Sequence, residues 1–376
     1  MALRRALTVG GALLLVAAVS APSYAQEKRT LSKDEIVQFQ ALHALVDAVS
    51  SGKQPAPADV KLTFHNYFLS AGVDVYVPYT IDIQPAFSKL PVGMYVRAVS
   101  KNPAPAAAAA PDRGGRGAPA GGRGGQGAAG GRGGRGRVGG AAPPSAVSYA
   151  FEDVSFYAAA ADHVDRALEL APGDYDIYLA VSEPLPPPVD PTAKPDKKAA
   201  AATPVVPKST VMVMPLTVPN LGAGSGLTTS SIILAKSIEP ATSQPNGQQQ
   251  LEQPYTISGL KIDPTYEAKF PKSGELLWAF YIYNEGTAAT GKPDLQVEYN
   301  FYRGTEEAPF THLAAAAFNA TTLPAEFSIA AGHQVMAGTG VPLTTFAPGE
   351  YKMEVKIADK TNSQTVTRNV PFTVTP

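Results

Sequence analysis

The sequence predicts an all-β chain: two tandem antiparallel β-sandwiches, one N-terminal amphipathic helix and long disordered loops. The first observation is a phrase written twice, APGDYDIYLAV at 171–181 and APGEYKMEVKI at 347–357. The second is strict alternation within it. Tyr175, Ile177, Leu179 and Val181 fall on one side of an extended chain, as do Tyr351, Met353, Val355 and Ile357. Period-two alternation marks a strand with one buried face, and the Pro-Gly ahead of each copy marks the turn that starts it. The third is size. Without its two low-complexity inserts, each copy holds roughly 100 residues, the length of one sandwich.

The elements follow in chain order. Residues 1–25 read as a signal peptide. Arg4 and Arg5 form the positive start, residues 7–21 are apolar, and Ser23-Tyr24-Ala25 is a small-residue cleavage site that leaves Gln26 first. The apolar run is too short, and too rich in Gly and Ala, for a membrane span, and no later stretch is long enough. The mature chain is expected to be periplasmic or secreted, with no transmembrane span. It has no Cys, so disulfides and lipid attachment through cysteine are excluded and burial of a core must hold the fold.

Residues 31–50 form the helix. Ser32 followed by Glu35 is a capping box, and Ile36, Phe39, Leu42, Val46 and Val49 make one apolar stripe. The stripe is expected to pack on the first sandwich. His43 is read as a helix-surface or boundary residue.

The first sandwich spans 57–220, with disordered inserts at 103–144 and 184–208. Its strand VYVPYTIDI (75–83) is matched in the second copy by LLWAFYIY (276–283), and LQVEYNFY (295–302) alternates again. Each copy closes on a matching strand, Pro215-Leu-Thr-Val218 and Pro371-Phe-Thr-Val374. The interval from Gly to Pro is 42 residues in the first copy and 22 in the second, so residues 184–208 lengthen one hairpin loop. A connecting segment, 221–253, leads to the second sandwich, 254–376. One large sandwich built from both halves is the rival arrangement.

A Pro-Gly-x-Tyr strand followed by a short turn and a last strand resembles the final hairpin of immunoglobulin-like and fibronectin type III domains. Tyr175 and Tyr351 sit where those domains place a packing tyrosine. Together with YVPYTIDI, TSSIILAK (229–236) and FAPGEYKMEVKIADK (346–360), the chain resembles exported bacterial proteins of unknown function that end in an immunoglobulin-like domain. Some of their relatives carry von Willebrand factor A-like or GWxTD domains. Neither a GWxTD string nor a D-x-S-x-S motif occurs here.

The whole chain has a formal net charge of −1. Residues 103–144 hold six Arg and one Asp, so the rest of the mature chain is acidic. This Arg/Gly insert has almost nothing to bury and is expected to be disordered. Its arginines, Arg113, Arg116, Arg123, Arg132, Arg135 and Arg137, are candidate anion-binding residues for an anionic polymer or nucleic acid. Its match to G-x-G-x-x-G at 131–136 lacks the strand and helix that a nucleotide site needs.

Little else points to chemistry. The five His (43, 65, 163, 312 and 333) are scattered, with no H-E-x-x-H. Asp162-His163-x-x-Arg166, with Asp165, is the densest polar cluster and is read as solvated surface. Ser225 in GAGSG (222–226) is off-centre for a nucleophile elbow. The reading is a non-catalytic binding or scaffolding protein with an envelope or extracellular protein partner, without cofactor or metal. An anionic-polymer binder is the alternative, and an unrecognised hydrolase the second.

Overall fold

The computed structural model describes residues 16–18, 31–83, 87, 91–102, 149–157, 163–185, 207–222 and 224–376. The chain is mostly β-strand, as the sequence predicts. In chain order come β1 (Val16–Ala18), helix α1 (Lys33–Ser50), β2 (Leu62–Asn66), β3 (Leu69–Ala71), β4 (Asp74–Ile83) and β5 (Val92–Ser100). Then come β6 (Phe151–Tyr157), β7 (His163–Leu170), β8 (Gly173–Ser182) and β9 (Ser209–Val218). They form two sheets, one of β2, β3, β4 and β7 and one of β6, β5, β8 and β9. Val77, Tyr79 and Ile81 of β4 share a core with Val96 of β5 and Ile177 and Leu179 of β8.

The second half holds β10 (Thr228–Thr229), β11 (Ile233–Pro240), α2 (Gly247–Glu252), β12 (Thr256–Ile257), β13 (Leu260–Pro264) and β14 (Lys269–Pro271). It continues with β15 (Glu275–Tyr283), β16 (Leu295–Arg303), β17 (Thr311–His312), β18 (Ala316–Phe318), β19 (His333–Pro342), β20 (Gly349–Asp359) and β21 (Gln364–Thr375). One sheet is built on β15 with β11 and β19, the other on β20 with β16 and β21. Between them lie Trp278 and Phe280, Tyr299 and Phe301, and Met353 and Val355.

The repeated phrase folds the same way twice. Gly173 pairs with Val218 and Asp176 with Pro215; Gly349 pairs with Val374 and Lys352 with Pro371. All eight alternating residues are buried. Gly173 and Gly349 hold φ of +152° and +149°, a conformation closed to residues with a Cβ, which is why Gly precedes both strands. The Tyr175 hydroxyl donates to the Ala171 carbonyl and that of Tyr351 to the Ala347 carbonyl, at 2.8 Å each.

Helix α1 begins with the expected capping box. The Ser32 amide donates to the Glu35 carboxylate at 2.8 Å, and the Glu35 amide to Ser32 Oγ at 3.3 Å. Leu42 and Val46 are buried against Tyr95, Ala180 and Val211 on the outer face of the β5–β8–β9 layer. Each such side chain contributes roughly 1.5–3 kcal/mol. Ile36, at the head of the expected stripe, stays exposed, and Gln38 is buried instead, donating to the Ser182 carbonyl at 3.1 Å.

Several features differ from the expectation. One strand pair is parallel: β14 runs alongside the end of β21. The chain crosses from one sheet to the other after Pro264, and the Thr373 amide donating to the Ala268 carbonyl ties that crossing down. A second helix, α2, lies between the sandwiches. Segment 221–253, read as a connector, contributes β10 and β11 to the second half, and β11 sits between β13 and β15. Val16–Ala18, within the residues read as a signal peptide, pairs antiparallel with the start of β19. Residues 103–148 and 186–206 lie outside the described residues, and with them insert 103–144 and most of insert 184–208.

The two halves share a core. Trp278, Phe280 and Ile282 of β15 point into the second sandwich. Ala279, Tyr281 and Tyr283, on the opposite face, join the core of the first, with Ile233, Ala235 and Met336.

Candidate functional site

The site forms where the halves meet, on the outer face of β4. Strand β4 is buried on both faces over most of its length because both are covered, one by its own sandwich and the other by the second. Pro78 sits in this central strand without breaking it. Its carbonyl accepts from the Tyr67 amide at the gap between β2 and β3, where no ladder N–H is needed. At that gap the chain turns outward. The Phe68 amide donates to Ser231 Oγ and the Ser231 amide to the Phe68 carbonyl, at 2.9 Å each. The Ser70 amide donates to the Tyr283 hydroxyl at 3.0 Å.

Strand register then sets out a polar tile. Thr80 lies between His65 on β2 and Asp165 on β7; Asp82 lies between Thr63 and His163. Thr80 Oγ1 donates to Asp165 Oδ1 at 2.5 Å. The hydroxyl has one proton, so the Tyr266 hydroxyl, 2.8 Å away, must donate to it. The Tyr255 hydroxyl in turn reaches that of Tyr266. A chain of three hydroxyls thus ends on one carboxylate.

Burial is the main cause of the shifts here. It raises Asp165 above the usual carboxylate range against the opposing Thr80 hydrogen bond, pushes Tyr266 up to about 12, and raises Tyr255 further. His65 Nε2 lies 3.2 Å from Asp82 Oδ2, and the ring stacks on Tyr266 with centroids 4.4 Å apart.

Around this tile run two adjoining hollows of about 320 and 820 Å³. Both are lined by His163, Asp165, Lys236, Asp263 and Pro264. Lys236 is placed by a β-bulge: Ala235 pairs with Pro264 and Ser237 with Asp263, leaving Lys236 as the extra residue. Among the described residues, no three His, Asp or Glu side chains are placed to hold a metal ion.

No protein-family model and no curated protein matches this chain. The groove offers carboxylates, the lysines Lys236, Lys261 and Lys269, imidazoles and fixed hydroxyls along a cleft open to solvent. That set suits contact with a polar, charged ligand or protein segment.

The residues singled out in the sequence fall in different places. Arg113, Arg116, Arg123, Arg132, Arg135 and Arg137 lie outside the described residues, as does Asp162. His163 and Asp165 join the junction groove. Arg166, read as solvated surface, is 4 % exposed; its Nη2 meets Asp153 Oδ2 at 2.5 Å between the layers, and its Nη1 lies 3.5 Å from Glu252 on α2. Alternation along β7 explains the split, since His163 and Asp165 face outward while Arg166 turns in.

His43 is half-exposed, with Nδ1 3.2 Å from Asp47 Oδ2, and lies near Tyr95 and Tyr149. Ser225 Oγ donates to the Gly222 carbonyl and closes a turn. His65, Thr80, Tyr255 and Tyr266 escaped the sequence reading. The available signal was the strand 75–83 itself, where Tyr76 and Pro78 stand at positions that a solvated face would leave polar.

Among the described residues, no helix is long and apolar enough to cross a membrane.

Proposed function

We propose that this is an exported, non-catalytic binding or scaffolding protein whose two immunoglobulin-like sandwiches act as one stiff body. In this reading the junction groove is presented to an envelope or extracellular protein. The observation that carries it is the shared core: Ala279, Tyr281 and Tyr283 complete the first sandwich from the second. A linker between independent domains would leave those faces polar. The paired tyrosine–carbonyl bonds at Tyr175 and Tyr351 support the immunoglobulin-like assignment, and the leader-like start supports export.

The test is capture from a cell-envelope extract by the chain beginning at Gln26, with and without residues 103–144, at low and moderate salt. The proposal expects one protein partner held by both versions and surviving salt. A second reading, binding of an anionic polymer through Arg113 to Arg137, is favoured by the local excess of positive charge. It expects binding that disappears with the insert and falls steeply with salt.

A further inference from the structure

We infer that the outer edge of β19 is a strand acceptor: it takes an extended, uncharged segment of a protein partner as one more antiparallel strand. The inference deepens the binding reading above and rests on its premise that residues 1–25 are removed. In the full chain β1 lies on this edge, with Val16 opposite Val335, Ala17 opposite Gln334 and Ala18 opposite His333. All three belong to the segment read as a signal peptide. Their removal leaves β19 as the last strand of its sheet.

The neighbouring strand fixes where the backbone groups of β19 point. The Ser230 amide donates to the Tyr281 carbonyl at 3.0 Å, and the Tyr281 amide to Ser230 Oγ at 2.9 Å. Tyr281 thus turns both groups toward the β10–β11 side, away from β19. Alternation along an antiparallel pair then turns Phe280 and Ile282 toward β19, opposite Ala337 and Val335. The residues between them, Gln334, Met336, Gly338 and Gly340, present their backbone groups outward. Among the described residues, the one strand that answers this edge is β1, and only at residues 333–335.

Proteins blunt an exposed edge with short strands, charges, Pro or bulges. Strand β19 has none of these along its edge. It is 10 residues long, carries no Asp, Glu, Lys or Arg, and has Pro only at its last position, Pro342. Its register with β15 is unbroken from Val335 to Pro342. The other long outer strands are guarded: β6 by Glu152 and Asp153, β7 by Asp165 and Glu169, β9 by Pro215, and β21 by Arg368 and Pro371. The sheet is also covered on both faces, with Val335 and Ala337 in the core of the second sandwich and Met336 in that of the first. A strand added beside them borders both cores, so it is apolar or small at every position rather than at alternate ones. Val16-Ala17-Ala18 has that composition.

The test compares the chain beginning at Gln26 with the full chain, each mixed with a synthetic peptide of residues 14–20 flanked by lysines for solubility. Binding is read by fluorescence anisotropy. Amide hydrogen exchange is followed over residues 333–342, with β20 as the internal control. The chain beginning at Gln26 is expected to bind saturably and to slow exchange over 333–342 about fivefold, with β20 unchanged. The full chain is expected to bind about tenfold more weakly, because its own strand competes at high effective concentration. Two changes are expected to abolish binding. Gln334→Pro removes an outward N–H that the fold does not use. A peptide N-methylated at Ala17, which faces Gln334, removes the matching donor and leaves the protein untouched.

No saturable binding by the chain beginning at Gln26 overturns the acceptor. So does binding that persists with the N-methylated peptide, which is adhesion of an apolar segment. Protection over 333–342 that grows with protein concentration in the absence of peptide assigns the edge to a second copy of the chain and overturns it as well. The premise is judged separately, by the mass of the chain recovered from the bacterial envelope after expression with its own leader. Loss of residues 1–25 supports it. A chain that keeps them has a filled edge, and that result removes the export reading whatever the peptide does.

Discussion

Tyr175 and Tyr351 do the same work in the two copies, each hydroxyl anchoring the carbonyl four residues back, ahead of its strand. Tyr175→Phe and Tyr351→Phe are each expected to lower stability by about 1 kcal/mol, read from urea unfolding. Tyr79 is the counter-case. It is fully buried, and its hydroxyl has no hydrogen-bond partner among the described residues. Tyr79→Phe should leave stability unchanged or raise it, because the desolvated hydroxyl is removed. Glu285 carries the pH argument at a single side chain. Burial, with Asp359 adding, raises it to about 7 from 4.5. The folded chain therefore holds this proton where the unfolded chain has lost it, and stability falls as pH rises across that interval. Glu285→Gln should stabilise the protein at pH 8 by on the order of 2 kcal/mol and leave it nearly unchanged at pH 4.

Helix α1 and the repeated hairpins show what sequence patterns reveal and what they hide. The helix lies so close to its sheet that a Cβ on Gly93 would meet Gln38 Nε2 at 2.7 Å. Gly93→Ala is expected to displace Gln38 from Ser182 and loosen the helix, at about 1–3 kcal/mol. Limited proteolysis should then cut within residues 31–50 while the strands stay protected. The capping box and the hairpins were legible because their signals are local: Ser32 with Glu35, and Pro-Gly followed by period-two alternation. The junction was not. Tyr255 and Tyr266 sit beside strands too short to show a period, and β11 was hidden because its end, SIEP, runs into the polar stretch ATSQPNG. The groove could not be read from local pattern at all, since His65, Thr80, Asp165 and Tyr266 meet only through pairing of β2, β4 and β7 and docking of the second half. Arg166 shows the same limit. Its neighbours made it look like surface, and only its phase on β7 buries it against Asp153.

The whole molecule is held together by a core that does not stop at the boundary between its halves. Burying Tyr281, Tyr283, Ile233 and Met336 against the first sandwich couples the folding of the two. With no Cys anywhere in the chain, this shared burial and the hydrogen bonds around Phe68 and Ser231 must carry that coupling. Coupled halves keep the junction groove in one shape. The most direct test is scanning calorimetry of the chain beginning at Gln26, beside residues 227–376 alone. Coupled folding of the halves predicts a single transition whose calorimetric and van't Hoff enthalpies agree, at a higher temperature than the isolated half. Two separate transitions, one coinciding with that of residues 227–376 alone, would contradict it.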